Sequence, residues 1–323
     1  MSDIKGKEVL ITGGTGSLGK ALTKQLVQSM HRPKGIRIYS RSELNQFKMK
    51  QEFKDSKIPI SYIIGDIRDR ERLTMACKGV DYIVNTAAMK RIEVCDSDPL
   101  ECLKTNVDGV SNIVHAALAN NVQKVLQVST DKAVYPTTLY GASKKCAEDL
   151  VINANTYSAG GTPHFMCVRY GNVLGSNGSV LGIFLKQIKE GKQLTVTDSN
   201  MTRFWITLPE VCHFIINTLE KYDTGIHIPI MLSSTILDLI NSLEVKYGDQ
   251  ELKTIPTQIN EKMHESLTTV EENRRLVDNG SRFIISDHKN HSFKDDWVYD
   301  SLTAYHATVD PLNQLARMLE GVL

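Results

Sequence analysis

Lys7-Glu8-Val9-Leu10-Ile11-Thr12-Gly13-Gly14-Thr15-Gly16-Ser17-Leu18-Gly19-Lys20-Ala21-Leu22 decides the fold. The first six residues form an apolar run that reads as a buried strand, and the residues after Gly19 open a helix. Between them Gly13, Gly16 and Gly19 recur every third position, as G-x-x-G-x-x-G. In a strand–turn–helix each glycine has a physical reason. The first permits a sharp turn, the second lets a pyrophosphate approach the backbone, and the third packs helix on strand. A glycine pattern in isolation says little, but in this context it points to a dinucleotide site.

Further strands follow outward from that unit. Gly35–Ser40, Ser61–Asp66, Tyr82–Thr86, Val125–Thr130 and Phe165–Gly171 are apolar or β-branched runs separated by helical stretches. This rhythm predicts an α/β fold with a doubly wound parallel sheet of the Rossmann type. After Gly171 it breaks. Asn172 to Gly178 is polar, Val180–Ile188 and Val211–Leu219 read as helices, and the last third alternates helix and loop. The expected division is residues 1–171 as a dinucleotide-binding domain, rejoined by 206–229, with 172–323 mainly a smaller substrate lobe.

Several strand ends offer cofactor contacts. After the second strand a site for NAD usually presents Asp or Glu to the ribose 2′-hydroxyl; Ser40-Arg41-Ser42 stands there instead. A hydroxyl beside a guanidinium suits a 2′-phosphate and favours NADP, the alternative being that Arg41 is a solvated charge. Asp66 can accept a hydrogen bond from an adenine amino group or cap the next helix, and the two readings are compatible. Ala87-Ala88 are small enough for a cofactor to lie against the backbone. Asn106, within the spacing Leu103, Val107, Val110, Ile113, Val114, reads by itself as an exposed mid-helix residue.

Composition narrows the partners. The 323 residues are 41% apolar and 23% charged, with a net charge of +1. No bulk field draws such a chain to nucleic acid or anionic lipid, so a small-molecule partner is expected. The six cysteines show no C-x-x-C pair, no run spans a bilayer, and no signal peptide is evident; free thiols and a cytoplasmic location are expected. None of the nine histidines forms H-E-x-x-H, and His264 and Glu265 are adjacent rather than on one helix face, so no metal is expected.

The chemistry concentrates in Val128-Ser129-Thr130-Asp131-Lys132-Ala133-Val134-Tyr135-Pro136 and the helix after it, from Leu139. Tyr140 and Lys144 are four apart and share a helix face. Asp131 and Lys132 follow the fifth strand directly, at the carboxyl-end crevice where α/β folds bind ligands. Elsewhere such a pair would be a solvated loop.

With T-G-x-x-G-x-x-G, Asn106, Thr130 and Tyr140-x-x-x-Lys144 together, the chain resembles an extended short-chain dehydrogenase/reductase. Within that superfamily Ser129-Thr130-Asp131-Lys132-Ala133, Tyr39-Ser40-Arg41, Arg169-Tyr170-Gly171-Asn172-Val173-Leu174-Gly175-Ser176 and Met201-Thr202-Arg203-Phe204-Trp205-Ile206 are similar to the UDP-N-acetylglucosamine 4,6-dehydratases. The likeness runs to about residue 285, with a looser echo beyond. Membrane-anchored, configuration-retaining members tend to lack tyrosine where Tyr140 stands, and the shorter soluble ones that invert C5 keep it, so the resemblance implies the inverting type. One departure is Gln258-Ile259-Asn260-Glu261-Lys262-Met263-His264-Glu265, where the family usually reads R-P-G-E-K-x-x-E. Gln258 replaces an arginine, which bears on a substrate-phosphate contact or on sugar specificity.

The resemblance implies a cofactor held by Thr12, Gly13, Thr15, Gly16, Ser17, Leu18, Gly19, Ser40, Arg41, Asp66, Ile67, Ala87, Ala88, Asn106 and Val173, with Tyr140 and Lys144. It implies a UDP-sugar held by Lys90, Asn172, Ser179, Val180, Arg203 and Glu261. Arg203 offers a fork to a diphosphate, the alternative being a carboxylate partner under Trp205. Tyr140 would take the proton of the sugar 4-hydroxyl as hydride leaves C4, with Thr130 positioning. Lowering a phenol from about 10 to about 7 takes roughly 4 kcal/mol, to which Lys144 and an oxidised nicotinamide would contribute. Lys132 would then remove H5, Asp131 would protonate the departing 6-hydroxyl, and hydride would return to C6. The product is a UDP-2-acetamido-2,6-dideoxy-hexos-4-ulose for glycan synthesis. A nucleotide-sugar 4-epimerase, which needs no acid–base pair at 131 and 132, is the alternative; a dinucleotide-sensing regulator, which could lose Tyr140 or Lys144, is a third. Self-association as a homo-oligomer is implied by the family.

Overall fold

A computed structural model describes residues 4–176, 178–257, 260–286 and 296–323. The strands are β1 (Glu8–Thr12), β2 (Gly35–Ser40), β3 (Ile60–Ile64), β4 (Tyr82–Asn85), β5 (Lys124–Val128), β6 (His164–Val168), β7 (Asn172–Leu174), β8 (Leu194–Val196), β9 (Thr202–Thr207), β10 (Gly225–Pro229), β11 (Leu232–Thr235), β12 (Leu252–Thr254), β13 (Leu276–Asp278) and β14 (Arg282–Ile285). Nine of them form one sheet in the order β13-β14-β10-β6-β5-β4-β1-β2-β3. From β3 to β10 every pairing is parallel, while β14 runs antiparallel to both β10 and β13. The chain therefore reverses between β1 and β4, the switch point at which an open parallel sheet makes its crevice. The fold is the doubly wound Rossmann arrangement expected from the sequence.

The crossover helices are α1 (Ser17–Gln28), α2 (Glu43–Glu52), α3 (Arg70–Ala76), α4 (Ile92–Ser97), α5 (Pro99–Leu103), α6 (Gly109–Ala119) and α7 (Leu139–Asn153). α7 starts where Thr138 accepts a hydrogen bond from the Gly141 amide, and it buries Tyr140, Ser143, Lys144, Ala147, Glu148 and Val151 at helical spacing. Gly141 is required: a Cβ there would lie 2.3 Å from the Lys132 carbonyl oxygen, so only glycine lets α7 rest on the turn that follows β5. That turn, Asp131–Ala133, is one 3₁₀ turn capped by Thr130.

The remaining helices are α8 (Val180–Lys189), α9 (Leu208–Lys221), α10 (Ile236–Tyr247), α11 (Val270–Asn273), α12 (Ser301–Ala307) and α13 (Pro311–Glu320). Strands β11-β9-β7 make a second sheet and β12-β8 a third. A separate apolar cluster around Leu181, Phe184, Trp205, Leu239, Leu243 and Leu315 lies beneath them. In the last third, where helix and loop are expected, β12 and β13 are three residues each, too short for period-2 alternation to stand out. β13 and β14, from residues expected in the substrate lobe, extend the large sheet.

Arg169, directly after β6, is fully buried and bonded through Nε and Nη2 to Glu148 of α7 at 2.8 and 2.6 Å. Its Nη1 and Nη2 each reach Glu272 of α11 at 2.8 Å, and Nη1 also reaches the Leu267 carbonyl at 2.8 Å. Burial alone would lower the Arg169 pKa, but the two glutamates outweigh it and hold the guanidinium charged. Replacing it strands two buried carboxylates, and removing one partner of a buried ion pair typically costs about 3–5 kcal/mol. Arg169→Leu is thus expected to lower the unfolding free energy obtained from urea titration by that amount; a stability within about 1 kcal/mol of wild type would show that the triad contributes little.

Candidate active site

Two cavities meet at the turn after β5. The first, about 530 Å³, lies over the carboxyl ends of the central strands. Gly13 enters it at φ +65°, and a Cβ at this position would stand 2.8 Å from the Ala87 backbone, so the floor can be made only by glycine. The Gly16 amide bonds the Gly13 carbonyl at 2.9 Å, and no side chain caps α1, which leaves its first-turn amides facing the cavity. Such a cradle fits the pyrophosphate of a dinucleotide. Of the residues expected to hold a cofactor, Gly13, Thr15, Gly16, Ser17, Leu18, Ser40, Arg41, Asp66, Ile67, Ala87, Ala88, Tyr140, Lys144 and Val173 line this cavity.

Three expected cofactor contacts do not. Thr12 is fully buried and donates to Asn85, whose amide in turn donates to Gln127 at 2.6 Å, so its side chain serves a cross-strand ladder. Gly19 packs on Gly14 instead of lining the cavity. Asn106 is 1% exposed, correcting the reading of an exposed helix residue. A π-helical stretch, Lys104–Asp108, turns it inward. There it bonds the Met89 amide at 2.8 Å, the Met89 carbonyl at 3.0 Å and Ser143 of α7 at 3.0 Å. Its place is to pin the segment after β4 to α7.

Asp66 lines the cavity but caps nothing: Asp69 accepts from the Arg72 amide and caps α3. Asp66 accepts from the Arg68 guanidinium at 2.9 and 2.6 Å, with Arg41 3.9 Å away. Burial would raise its carboxyl, but Arg68 outweighs this and holds it below the usual range.

Tyr140 and Lys144, one turn apart on α7, face the first cavity and are nearly enclosed. Lys144 donates to the Val128 carbonyl at 2.6 Å, and burial lowers its pKa to about 8. Burial pushes the Tyr140 phenol up to about 12, against the pull of Lys132. The expected lowering towards neutrality is therefore absent from the protein's own residues: the Lys144 ammonium is engaged by the Val128 carbonyl, and burial outweighs the pull of Lys132 on the phenol.

The second cavity, about 730 Å³, opens between the sheet and the Leu181–Leu315 cluster. Lys132, Asn172, Val180, Arg203 and Glu261 line it, and Lys90 and Ser179 do not. Lys90 faces the first cavity, because the chain after β4 runs along its rim. Ser179 caps α8 by accepting from the Gly182 amide. Arg203 is 7% exposed, anchored to the carbonyls of Thr202 and Met263 at 2.8 and 3.1 Å, with Glu261 3.6 Å away. It pairs with the Glu261 carboxylate while facing the cavity. The buried Asn172 Oδ1 has no hydrogen-bond partner among the described residues. Gln258 lies outside them.

Thr130 lines the first cavity and Lys132 the second, so the turn stands between them. Thr130 donates to Asp131 Oδ1 at 2.8 Å, and Lys132 Nζ lies 3.1 Å from the same oxygen. Asp131 is fully enclosed and Lys132 partly exposed, so neither is a solvated loop residue. Ser42, Asn45, Thr105, Ser129 and Tyr170 in the first cavity, and Lys262 and Glu265 beside Lys132, were not expected. The K-x-x-E spacing of the last two was visible, but not their meeting with a turn more than a hundred residues earlier.

A family described as polysaccharide biosynthesis protein matches residues 9–287. The chain belongs to this family and is an extended short-chain dehydrogenase/reductase. Among its relatives, a protein of Campylobacter jejuni subsp. jejuni serotype O:23/36 named UDP-N-acetylglucosamine 4,6-dehydratase (inverting) is 39% identical over 315 residues, covering 92% of each chain. A Rickettsia prowazekii protein named UDP-glucose 4-epimerase is 39% identical over 285 residues, covering 86% of this chain and 82% of that protein. The X-ray structure of Pen from Bacillus thuringiensis superposes with a TM-score of 0.89 at 34% identity, covering 99% of both chains. For this reductase the Gly13 cradle yields a direct test. Gly13→Ala is expected to weaken binding of a nicotinamide dinucleotide at least about tenfold, or about 1.4 kcal/mol, in a fluorescence titration. Unchanged affinity would show that the phosphates lie elsewhere.

Proposed function

We propose that this protein is an NADP-dependent UDP-N-acetylglucosamine 4,6-dehydratase that inverts C5. The observation that carries the reading is the pairing of enclosed Asp131 with cavity-facing Lys132 on the turn between the two cavities. Burial, reinforced by a neighbouring carboxylate, raises the Asp131 pKa against the pull of Lys132, which suits a general acid. The relatives named as inverting dehydratases support the same choice.

In this reading residues 1–171 with 206–229 bind the cofactor and 172–323 mainly the sugar nucleotide, Asn172, Val180 and Arg203 facing it and Glu261 orienting Arg203. A bound nicotinamide supplies reversible hydride acceptance between sugar C4 and C6. Thr130 orients the 4-hydroxyl and Tyr140 takes its proton, while Lys144, buried beside it, carries charge near neutral pH. Lys132 removes H5 once the 4-ketone makes it acidic, and Asp131 protonates the departing 6-hydroxyl. Ser40 and Arg41, with Arg41 exposed at the cavity wall, support NADP over NAD. The six unpaired cysteines are in keeping with a cytoplasmic location. Among the described residues no helix is long and apolar enough to cross a membrane. A groove of about 750 Å³ along α6 and α7, with Tyr157 72% exposed at its edge, is in keeping with self-association.

The 4-epimerase reading rests on relatives of that name. Incubation with UDP-N-acetylglucosamine in deuterated water separates the two: a 6-deoxy-4-keto product with deuterium at C5 is expected, and a 4-epimer retaining its 6-hydroxyl would overturn the dehydratase. Lys132→Ala is expected to keep cofactor affinity and lose about 100-fold or more in elimination and C5 exchange; wild-type turnover in this variant would remove Lys132 from the chemistry. Arg41→Ala should narrow the preference for NADP over NAD about tenfold in paired titrations, as expected for one lost charge-assisted contact. An unchanged ratio would place the 2′-phosphate contact on another residue.

A further inference from the structure

Lys132 is bracketed by two carboxylates. Its Nζ stands 3.1 Å from Asp131 Oδ1 and 3.3 Å from Glu265 Oε1. Glu265 is 4% exposed and rigidly mounted: its amide donates to Ser301 Oγ at 2.9 Å, its carbonyl accepts from the Ser301 amide at 2.8 Å, and Ser301 Oγ donates to the Thr202 carbonyl at 3.1 Å. Lys262 lies 3.7 Å from Glu265 Oε2 and itself holds the Val134 carbonyl at 2.7 Å. The buried Asp131 Oδ2 and Glu265 Oε2 both meet no hydrogen-bond partner among the described residues, but Glu265 Oε2 has the Lys262 ammonium 3.7 Å away.

One ammonium needs one counter-ion, so two carboxylates at this distance compete for it. Glu265 has Lys132, Lys262 and Arg203 around it, whereas Asp131 has Lys132 and the hydroxyl of Thr130, with Tyr140 beyond. We propose that Glu265 is a positioning residue that serves as the counter-ion of Lys132, leaving Asp131 free to keep its proton for the departing sugar oxygen. Burial would raise the Glu265 carboxyl, yet the surrounding cations hold it below the usual range, while Asp131 moves the other way.

The inference rests on the dehydratase reading and completes its proton balance. Lys132 first releases its resting proton to solvent through the second cavity; the C5–H bond then breaks and its proton passes to the neutral Lys132 amine. The C6–O6 bond breaks, O6 takes the Asp131 proton and leaves as water, and a C5–C6 double bond forms. The ammonium and carboxylate so generated lie side by side, with Glu265 charged throughout.

Removing the Glu265 charge lowers both pKa values: Lys132 loses an anion that stabilises its ammonium, and Asp131 loses a like charge and becomes the counter-ion. In Glu265→Gln both limbs of the pH profile of kcat/KM for elimination should therefore move to lower pH by about one unit or more, and Glu265→Asp should restore them in part. A uniform loss of activity with both limbs unmoved would leave Glu265 a merely structural role and overturn the proposal. Wild-type formation of the 6-deoxy-4-keto product, measured alongside, separates the two ideas: with elimination present and the limbs unmoved only the Glu265 assignment falls, and with elimination absent both fall. A second measurement does not require the Gln variant to fold. At neutral pH the infrared difference between wild type and Asp131→Asn should contain a protonated-carboxyl band; its absence would overturn the assignment.

Discussion

The buried guanidinium of Arg169 is the constraint on which the site depends. It follows β6 directly, grips Glu148 on α7 and Glu272 on α11, and donates to the Leu267 carbonyl. α7 carries Tyr140 and Lys144, and the segment leading to Leu267 carries Glu261, Lys262 and Glu265. One fully enclosed cation thus ties the helix facing the first cavity to the strap facing the second. In a water-free interior such a triad tolerates no missing member, so the spacing between the two cavities is set by a strong and directional contact.

A second layer of contacts brings that strap onto the turn after β5. Thr137 donates to the Asn260 carbonyl at 2.9 Å, Lys262 to the Val134 carbonyl at 2.7 Å, and the Val270 amide to the Tyr135 hydroxyl at 3.0 Å. Gly141 lets α7 press on the same turn from behind. Lys132 is therefore held from both sides, and its charge environment comes from three separate stretches of chain. This is why Asp131 and Lys132, adjacent in sequence, experience such different surroundings: one is sealed among other groups and the other reaches an open cavity.

Much of this was legible beforehand. The parallel sheet follows from apolar runs alternating with helices, the cradle from three glycines between a strand and a helix, and the shared face of Tyr140 and Lys144 from a spacing of four. These signals are local: period, turn chemistry and helix pitch act within one or two turns of chain, so the order of residues carries them directly. The family resemblance added the roles of Asp131 and Lys132 and many, though not all, of the residues that line the two cavities.

Side-chain direction and charge state were decided only by the fold. Thr12, Asn106 and Ser179 sit beside the cavities in sequence terms but turn into a strand ladder, a helix clasp and a helix cap. The Tyr140 phenol lies high, not low, because enclosure outweighs the positive charge near it. Glu265 reaches Lys132 across more than a hundred residues. Desolvation and Coulomb energy depend on distance and enclosure in three dimensions, which no periodicity along the chain encodes. Residue types and local geometry belong to the sequence; which acid holds its proton belongs to the tertiary structure.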